Sequence, residues 1–436
     1  MSFPDLLILA GGKGTRLRDK LEHGLPKPLV NICGRPLLDY QLCLARSSGI
    51  QNVHLMLGYG ASYIYDYCGD GSKWGVKVIY HEENEPLGTA GAVLNVLNEL
   101  PNQFIVMYGD TMLDVDLVSF YQLHESKCAD ITVFLHPNDH PHDSDLVEVD
   151  ASNNIVAFHS YPHSKDGYFQ NLANASLYVI NKSVLNTIRF EGGMLDFCKQ
   201  VFPSLVDNGH KLYGYNGIEY IKDIGTPERL LAVEQDLNSG KFFKRNLKSA
   251  KKAIFLDRDG TINDQTDYVV EIQQMRLLPG VSSAIRAINK SDFLTVVITN
   301  QPVIARGDVD ENKLRKIHNK MEWLLGQEGA FIDRIYFCPH HPDSGFAGER
   351  REYKKTCFCR KPNIGLIEQA IQELNIDLSQ SWFIGDSTVD IETAKRAGVK
   401  SILLSTGYAG KDNKFVCNAD YNFIDLQEAV NFILER

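Results

Sequence analysis

Short β-branched or apolar runs alternate with longer amphipathic stretches along the whole chain, which is the pattern of an α/β protein. A first series of candidate strands falls at 6–10, 52–57, 77–81, 104–109, 131–136 and 176–180. A second series falls at 253–257, 294–300, 332–338, 381–386 and 400–406. Between the two, Pro227 stands where the first turn of a helix tolerates proline, and a helix is predicted over about 227–238. A basic, polar connection follows Gly240. These breaks predict a domain over 1–240, a linker over 241–252 and a second domain over 253–436, each domain long enough for its own core.

Composition changes this picture little. A chain of 436 residues carries a soft prior of two or three domains. Hydrophobic content of 44% and charged content of 23% are ordinary for a globular protein. The net charge of −10 argues against nucleic-acid binding through bulk electrostatics, but not against nucleotide substrates, which need only local positive charge. No stretch approaches the roughly 20 apolar residues of a membrane span. The start, MSFPDLLILAGGKG, has an early acid and no basic segment, unlike a signal peptide. The nine cysteines are odd in number and mostly scattered, which suits a reducing compartment, so a cytoplasmic location is expected. A homo-oligomer stays open.

Candidate chemistry in the first half begins where strand 6–10 runs into a glycine-rich turn. Gly11, Gly12 and Gly14 let the backbone approach a ligand and can form an anion-binding nest, and Arg16 and Lys27 add the positive charge a triphosphate needs. The turn lacks the G-K-[ST] ending of a Walker loop, and Leu17 stands where a dinucleotide-binding turn has its last glycine. EPLGTAGAV (85–93) is a second glycine-rich segment at a predicted helix start. Asp110 closes an apolar strand and Asp223 precedes a Gly-Thr-Pro turn; such carboxylates suit Mg²⁺.

In this order LAGGKGTRL, PKPLV, EPLGTAGA, GDT and DIGTP resemble the sugar-phosphate nucleotidyltransferase family, over roughly residues 4–238. The resemblance implies that Gly11, Gly12, Gly14, Thr15 and Arg16 hold nucleotide phosphates and that Lys27 sits by the α-phosphate. It places Gly88 and Thr89 near the nucleoside, Asp110 and Asp223 on Mg²⁺, and Asn174 on the sugar. Asn174 stands in NASLY, where Ser176 replaces a glycine common in the family.

The second half opens on AIFLDRDGTIN (253–263), with two carboxylates two residues apart at the end of a buried strand, an arrangement that raises both pKa values unless a cation relieves it. VVITNQ (296–301), CRKP (359–362) and FIGDSTVD (383–390) follow. Together they resemble the haloacid dehalogenase superfamily. That implies Asp257 as nucleophile, Asp259 as acid and base, and Thr299 and Asn300 as donors to a phosphoryl group. It also implies Lys361 as the neutralising cation with Arg360 beside it, Mg²⁺ on Asp257, Asp259 and Asp386, and Asp390 in support. About forty residues separate the first two motifs, too few for a large cap domain.

Cys338-x-His340 and Cys357-x-Cys359 offer three thiolates and an imidazole, the donor set of a closed Zn²⁺ site, with His341 as the competing imidazole. DRDGTIN, TNQ, IARG, CPHHP and CxCRKP resemble the heptose 1,7-bisphosphate phosphatase branch, with histidinol-phosphate phosphatases the nearest competitor, and the spacing in that branch favours His340. The fold class expected is therefore α/β, two Rossmann-like domains: a nucleotidyltransferase sheet and a capless dehalogenase-type domain with a zinc loop. The two resemblances imply a bifunctional enzyme that removes the 7-phosphate of heptose 1,7-bisphosphate and transfers GMP from GTP to heptose 1-phosphate. Mannose 1-phosphate, UTP or dTTP are the alternative substrates, and a sensor without turnover is the alternative from another class.

Overall fold

Leu6, Leu7 and Ile8 are all fully buried within the strand Asp5–Leu9, as a central parallel strand covered on both faces requires. In the computed structural model, which describes residues 3–12, 24–163, 167–265, 268–345 and 347–436, this strand is the middle of a nine-stranded sheet. Asn52–Leu57 lies parallel on one side, with Lys77–Glu82 beyond it, and Gln103–Tyr108 lies parallel on the other. Ala173–Asn181 then runs antiparallel to Gln103–Tyr108, Ile131–His136 runs antiparallel to that, and Leu212–Asn216 closes this branch in parallel. Alternation along the central strand splits the core. Leu6 and Ile8 pack with Leu38, Leu42 and Ile64 on one face, and Leu7 packs with Ala90, Val93 and Phe202 on the other.

The second sheet has six strands, all parallel, in the order Arg334–Cys338, Phe293–Asn300, Lys252–Leu256, Trp382–Gly385, Lys400–Leu404, Tyr421–Phe423. Ile254, Leu256, Val297 and Ile384 pack against Ile285, Ile288, Ile317 and Met321 from the helices Val281–Lys290 and Glu311–Gln327. The architecture is the expected α/β pair of Rossmann-like sheets.

The chain divides into two compact units. One holds 1–136, 145–160 and 172–246, and the other holds 137–144, 161–171 and 247–436. Within the second unit Tyr168 meets Trp323 edge-on at 5.3 Å between ring centroids, and Asn319 donates to the Tyr168 carbonyl at 3.1 Å.

The helix Pro227–Asn238 forms where the proline predicts it, with Thr226 Oγ1 accepting from the Arg229 amide as N-cap. The stretch after it is less open than its basic composition suggests. Lys241–Lys244 is a short helix whose Phe242 is buried against Tyr220 and Tyr40. Several short strands escape the hydrophobic pattern, among them Thr111–Asp114 and Tyr220–Asp223, which pair antiparallel. At four residues each they are too short to show a period, and their pairing decides where two site carboxylates lie. Among the described residues no helix is long and apolar enough to cross a membrane.

Candidate active sites

Each sheet reverses its strand order beside its first strand, and such a switch opens a crevice at the carboxyl ends of the two strands involved. In the first unit those ends lead into Gly11 and Asp110. The approach there is tight: a Cβ on Gly109 would stand 2.9 Å from the Leu9 carbonyl oxygen, and one on Gly58 would stand 3.0 Å from that of Gly11. Lys27, buried in the short helix Lys27–Leu29, places Nζ 2.6 Å from Asp110 Oδ2. The pairing of Tyr220–Asp223 with Thr111–Asp114 sets Asp223 opposite Thr111, and the Ile224 amide donates to the Asp110 carbonyl at 2.9 Å. Asp223 accepts from Arg229 Nη1 at 2.6 Å and from the Gly225 amide at 2.8 Å. Burial pushes its carboxyl up, but Arg229, the Gly225 amide and the charge of Lys27 outweigh it and leave the pKa below the ordinary value. Lys27, Asp110 and Asp223 thus lie beside one another at this crevice. Gly14, Thr15 and Arg16 lie outside the described residues.

Gly88 and Thr89 answer to a different demand. Gly88 has φ +76°, and a Cβ on it would overlap the Leu195 backbone, so close chain packing already requires glycine there. The Thr89 hydroxyl donates to Asp196 at 3.0 Å and accepts from the Phe197 amide at 3.0 Å. Asn174 donates to the Tyr178 hydroxyl at 3.0 Å and accepts from the Ser176 amide at 3.2 Å. Ser176 holds φ +58° in an irregular stretch of its strand, a left-handed conformation that costs a non-glycine residue about 1 kcal/mol. Hence glycine suits this position.

In the second unit the switch lies between Lys252–Leu256 and Trp382–Gly385, and Asp257 and Asp386 follow those two strands directly. Lys361, buried, bridges Asp257 at 2.8 Å and Asp390 at 2.6 Å. The Tyr408 amide donates to Asp386 at 2.6 Å, and a Cβ on Gly260 or Gly407 would overlap that carboxylate. Oxygens of Asp257, Asp386 and Asp390 lie within 4.8 Å of one another. Burial, with Asp390 and Asp259 nearby, pushes Asp257 up to about 7 against the pull of Lys361. Burial and the charges of Asp390 and Asp257 push Asp386 up to about 8. Crowded carboxylates held this way fit a hard divalent cation such as Mg²⁺, which would reverse both shifts.

Asp259 departs from its expected place on the metal, because its carboxylate does not join that group. Arg258 Nη2 donates to both of its oxygens, at 2.7 and 2.8 Å. Asn263 and Gln301 each hold one oxygen, at 3.0 and 2.9 Å. Burial raises this carboxyl, but these donors outweigh it and keep the pKa below the ordinary value. Asn300, expected to face a phosphoryl group, instead exchanges hydrogen bonds with the Lys361 backbone, accepting from its amide at 2.9 Å and donating to its carbonyl at 3.1 Å. Thr299 is buried and accepts from Gln301 at 2.9 Å.

Cys338 ends the strand Arg334–Cys338, and its sulfur lies 3.5 Å from that of Cys357 and 3.2 Å from that of Cys359. Cys357 and Cys359 sulfurs are 3.2 Å apart, and His340 Nδ1 is 3.2 Å from Cys359 and 3.7 Å from Cys338. Tetrahedral Zn–S bonds of about 2.3 Å set sulfurs about 3.8 Å apart, so the four side chains fit Zn²⁺. His341 turns instead to the Asp343 amide, at 3.2 Å. Arg360 donates to the His340 carbonyl at 3.1 Å, tying the cluster to Lys361 next to it.

The family model for nucleotidyl transferases matches residues 6–240. The chain belongs to the nucleotidyl transferase family. A HAD-hydrolase-like model matches 358–429. The D-glycero-beta-D-manno-heptose-1,7-bisphosphate 7-phosphatase of Haemophilus ducreyi is 42% identical over 161 residues, 36% of this chain and 86% of that protein. The protein of the same name from Escherichia coli K12 is 41% identical over 156 residues, 36% of this chain and 80% of that protein. The solved structure of HddC from Yersinia pseudotuberculosis matches at 27% identity and a TM-score of 0.47, covering 54% of this chain and 100% of that one. The chain thus joins a nucleotidyltransferase to a HAD-like phosphatase.

In the nucleotidyltransferase half, sequence reasoning missed Arg229; its place one turn after Asp223, in GTPER, was the available signal. In the phosphatase half it missed the donors around Asp259, namely Arg258, Asn263 and Gln301. All three stand in quoted motifs, Arg258 and Asn263 in AIFLDRDGTIN and Gln301 in VVITNQ, but side-chain direction is not readable from spacing. The cysteine and histidine cluster leads to a prediction. Cys357→Ser removes one of the four side chains that fit Zn²⁺ and loosens the chain that carries Arg360 and Lys361, so it should lower phosphatase kcat roughly tenfold or more, while nucleotide transfer stays unchanged. Zinc content by atomic spectroscopy should fall in parallel; full zinc loss with full phosphatase activity would separate the metal from Lys361.

Proposed function

We propose that the phosphatase half removes the 7-phosphate of D-glycero-D-manno-heptose 1,7-bisphosphate and that the nucleotidyltransferase half transfers GMP from GTP to the resulting heptose 1-phosphate, releasing pyrophosphate. The observation that carries this reading is the Asp257–Lys361–Asp390 cluster at the switch point of the second sheet, in a chain of which 161 residues are 42% identical to a heptose-bisphosphate phosphatase.

Asp257 attacks phosphorus, the ester P–O bond breaks, and the leaving sugar oxygen takes a proton from Asp259, which must first take up that proton and release part of its grip on Arg258, since its resting pKa lies below the ordinary value. Water then attacks the aspartyl-phosphate, gives its proton back to Asp259, and phosphate leaves with Asp257 restored. Lys361, held by Asp390 and by Asn300, neutralises charge on the transferring group. Mg²⁺, held by Asp257 and Asp386, supplies further charge neutralisation when bound. Arg360 stands beside Lys361 at a capless site, and Cys338, His340, Cys357 and Cys359 would hold Zn²⁺, which would fix the chain that carries this basic pair.

In the other half the sugar 1-phosphate oxygen attacks the α-phosphorus and pyrophosphate leaves, with positioning and charge neutralisation as the catalytic means. Lys27 serves the α-phosphate, Asp110 and Asp223 would hold Mg²⁺, and Gly11, Gly12, Gly14, Thr15 and Arg16 take the phosphates. Gly88 and Thr89 shape the nucleoside side, and Asn174 the sugar side.

The related phosphatases are named for the β-anomer, whereas a guanylylated product fits the α-anomer by resemblance to mannose-type guanylyltransferases. One incubation tests this: enzyme, Mg²⁺, a mixture of GTP, ATP, CTP, UTP and dTTP, and each anomer of the bisphosphate separately, read by mass spectrometry. GDP-heptose from the α-anomer is the expected product. Heptose 1-phosphate with no nucleotide sugar would overturn the transferase assignment, and no phosphate release from either anomer would overturn the heptose substrate.

A further inference from the structure

Two stretches of the chain, 137–144 and 161–171, lie in sequence inside the nucleotidyl transferase match at 6–240 but pack in the second compact unit. The helix Glu311–Gln327 receives them there. Its buried Leu314, Ile317, Met321 and Leu325 face the core. Asn319, Glu322, Trp323 and Gly326 follow the spacing i, i+3, i+4, i+7, which makes a second stripe along one face of the same helix. Every member of that stripe meets one of the two stretches. Asn319 Nδ2 donates to the Tyr168 carbonyl at 3.1 Å, and Trp323 meets the Tyr168 ring edge-on. Glu322 Oε2 accepts from the Asn171 amide at 3.4 Å. Pro141 lies so close over Gly326 that a Cβ there would stand 2.4 Å from its Cγ.

The two stretches also hold each other. Asn138 and Asn171 are both buried and exchange hydrogen bonds. The Asn138 amide donates to Asn171 Oδ1 at 3.2 Å, and Asn171 Nδ2 donates to the Asn138 carbonyl at 2.8 Å. Asn138 Nδ2 donates to Ser144 Oγ at 2.7 Å, and His163 Nε2 donates to the Ser144 carbonyl at 2.8 Å. Buried amides paired in this way rigidify what they join. Three strands, Ile131–His136, Leu146–Val149 and Ala173–Asn181, begin or end within two residues of the docked stretches. The same strands surround Asn174. It stands opposite Leu135, its amide donates to the Asp145 carbonyl at 3.0 Å, and the nearby Leu172 carbonyl accepts from the Val147 amide at 2.9 Å. The ladder is irregular just here, because its register shifts between Asn174 and Tyr178, where Ser176 holds φ +58°. Pairing farther along the strand therefore does not carry through to Asn174, and the docked ends set its place.

We propose that the stripe of Asn319, Glu322, Trp323 and Gly326 is a positioning surface for nucleotide transfer: by docking 137–144 and 161–171 it fixes the strand ends around Asn174, and with them the sugar-phosphate side of the transferase reaction. This rests on the assignment of Asn174 to that side. A helix of the phosphatase fold then supports the acceptor of the other reaction, and no phosphatase catalytic group takes part.

Gly326→Ala in the full chain tests this. Alanine is the better helix former, so the helix keeps its shape while the new Cβ dislodges Pro141. Amide exchange in 137–144 and 167–172 should become faster. The kcat/KM for heptose 1-phosphate at saturating GTP should fall roughly tenfold to a hundredfold, as a misplacement of about 1 Å can cost, while kcat/KM for GTP at saturating heptose 1-phosphate and kcat/KM of the phosphatase each change less than about threefold. Pro141→Ala removes the ring atoms that collide and leaves a Cβ at 3.9 Å, so the double variant should recover most of the loss. Tyr168→Ala frees the other stretch from Trp323 without touching the helix and should show the same split, and Tyr168→Phe should behave as wild type. Equal losses on all three measures, faster exchange with no loss, or unchanged exchange in both Gly326→Ala and Tyr168→Ala overturns the proposal. Asn174→Ala separates the two ideas. If it lowers kcat/KM for heptose 1-phosphate and the docking variants do not, the positioning role fails alone. If it does not, the sugar assignment fails and the proposal with it.

Discussion

Asp257→Asn is expected to abolish phosphate release, by roughly 10⁴-fold or more, while nucleotide transfer continues at the wild-type rate. A loss of that size is about 5 kcal/mol of barrier. An amide nitrogen or oxygen in this place cannot form the aspartyl-phosphate, and no other carboxylate is placed to take over. Asp390 is held by Lys361 and by Ser387, and Asp386 accepts from the Tyr408 amide. The same substitution should not weaken the fold. Without a cation, the pKa of Asp257 in the folded chain stands at about 7, above its ordinary 3.8. Ionising it therefore works against folding, and stability is lost as pH rises from about 4 through 7. Asparagine removes that loss, and Lys361 keeps Asp390 as its partner. In magnesium-free buffer at pH 8 the variant should melt at or above the wild-type temperature, with the advantage gone near pH 4. A folded variant that still releases phosphate at more than about a hundredth of the wild-type rate would remove Asp257 as nucleophile.

How much of this was legible in the sequence differs between kinds of feature. The buried parallel strands read clearly, because a strand covered on both faces is a continuous apolar run. Asn52–Leu57 and Ile131–His136 coincide with their runs to the residue. Strand-end residues read clearly too, since Asp257 and Asp386 follow such runs at a topological switch. The cysteine and histidine group was legible from spacing, because its members form two close pairs that only a loop must bring together. What stayed hidden depends on where side chains turn. Asp259 lies two residues from Asp257, yet Arg258 draws its carboxylate away from the cluster. Asn300 follows Thr299 at a strand end, yet its amide is taken up by the Lys361 backbone, 61 residues away in sequence. His318 gave no signal at all: it is a lone histidine on the apolar face of an amphipathic helix, and only the fold brings it to the Arg258 guanidinium.

Asp110→Ala should do the reverse of Asp257→Asn, lowering nucleotide transfer roughly 10³-fold, about 4 kcal/mol, and leaving phosphatase activity untouched. In the ligand-free protein Asp110 is paired with Lys27 at 2.6 Å, while Asp223, two strands' ends away across the Tyr220–Asp223 pairing, is held by Arg229. With side-chain exposures of 11% for Lys27 and 37% for Asp110, the pair is partly solvated and contributes little net stability. Loss of Asp110 also leaves Lys27 within reach of the Asp223 charge, so the melting temperature should move little. On the proposed reading the large effect would arise with the triphosphate: its oxygens would bring several negative charges into the crevice, Lys27 would serve the α-phosphate, and Asp110 and Asp223 would hold Mg²⁺. Asp110→Ala would then remove one of the two carboxylates proposed for the cation, which would supply charge neutralisation for the departing pyrophosphate. Asp110→Asn retains an acceptor for Lys27 but not the charge, so it should be nearly as slow as the alanine variant; near-wild-type transfer by the asparagine variant would show that Asp110 acts by holding Lys27 and not by binding metal. Raising Mg²⁺ should recover part of the rate in both variants, and assaying phosphate release in the same tubes shows whether the second site is intact.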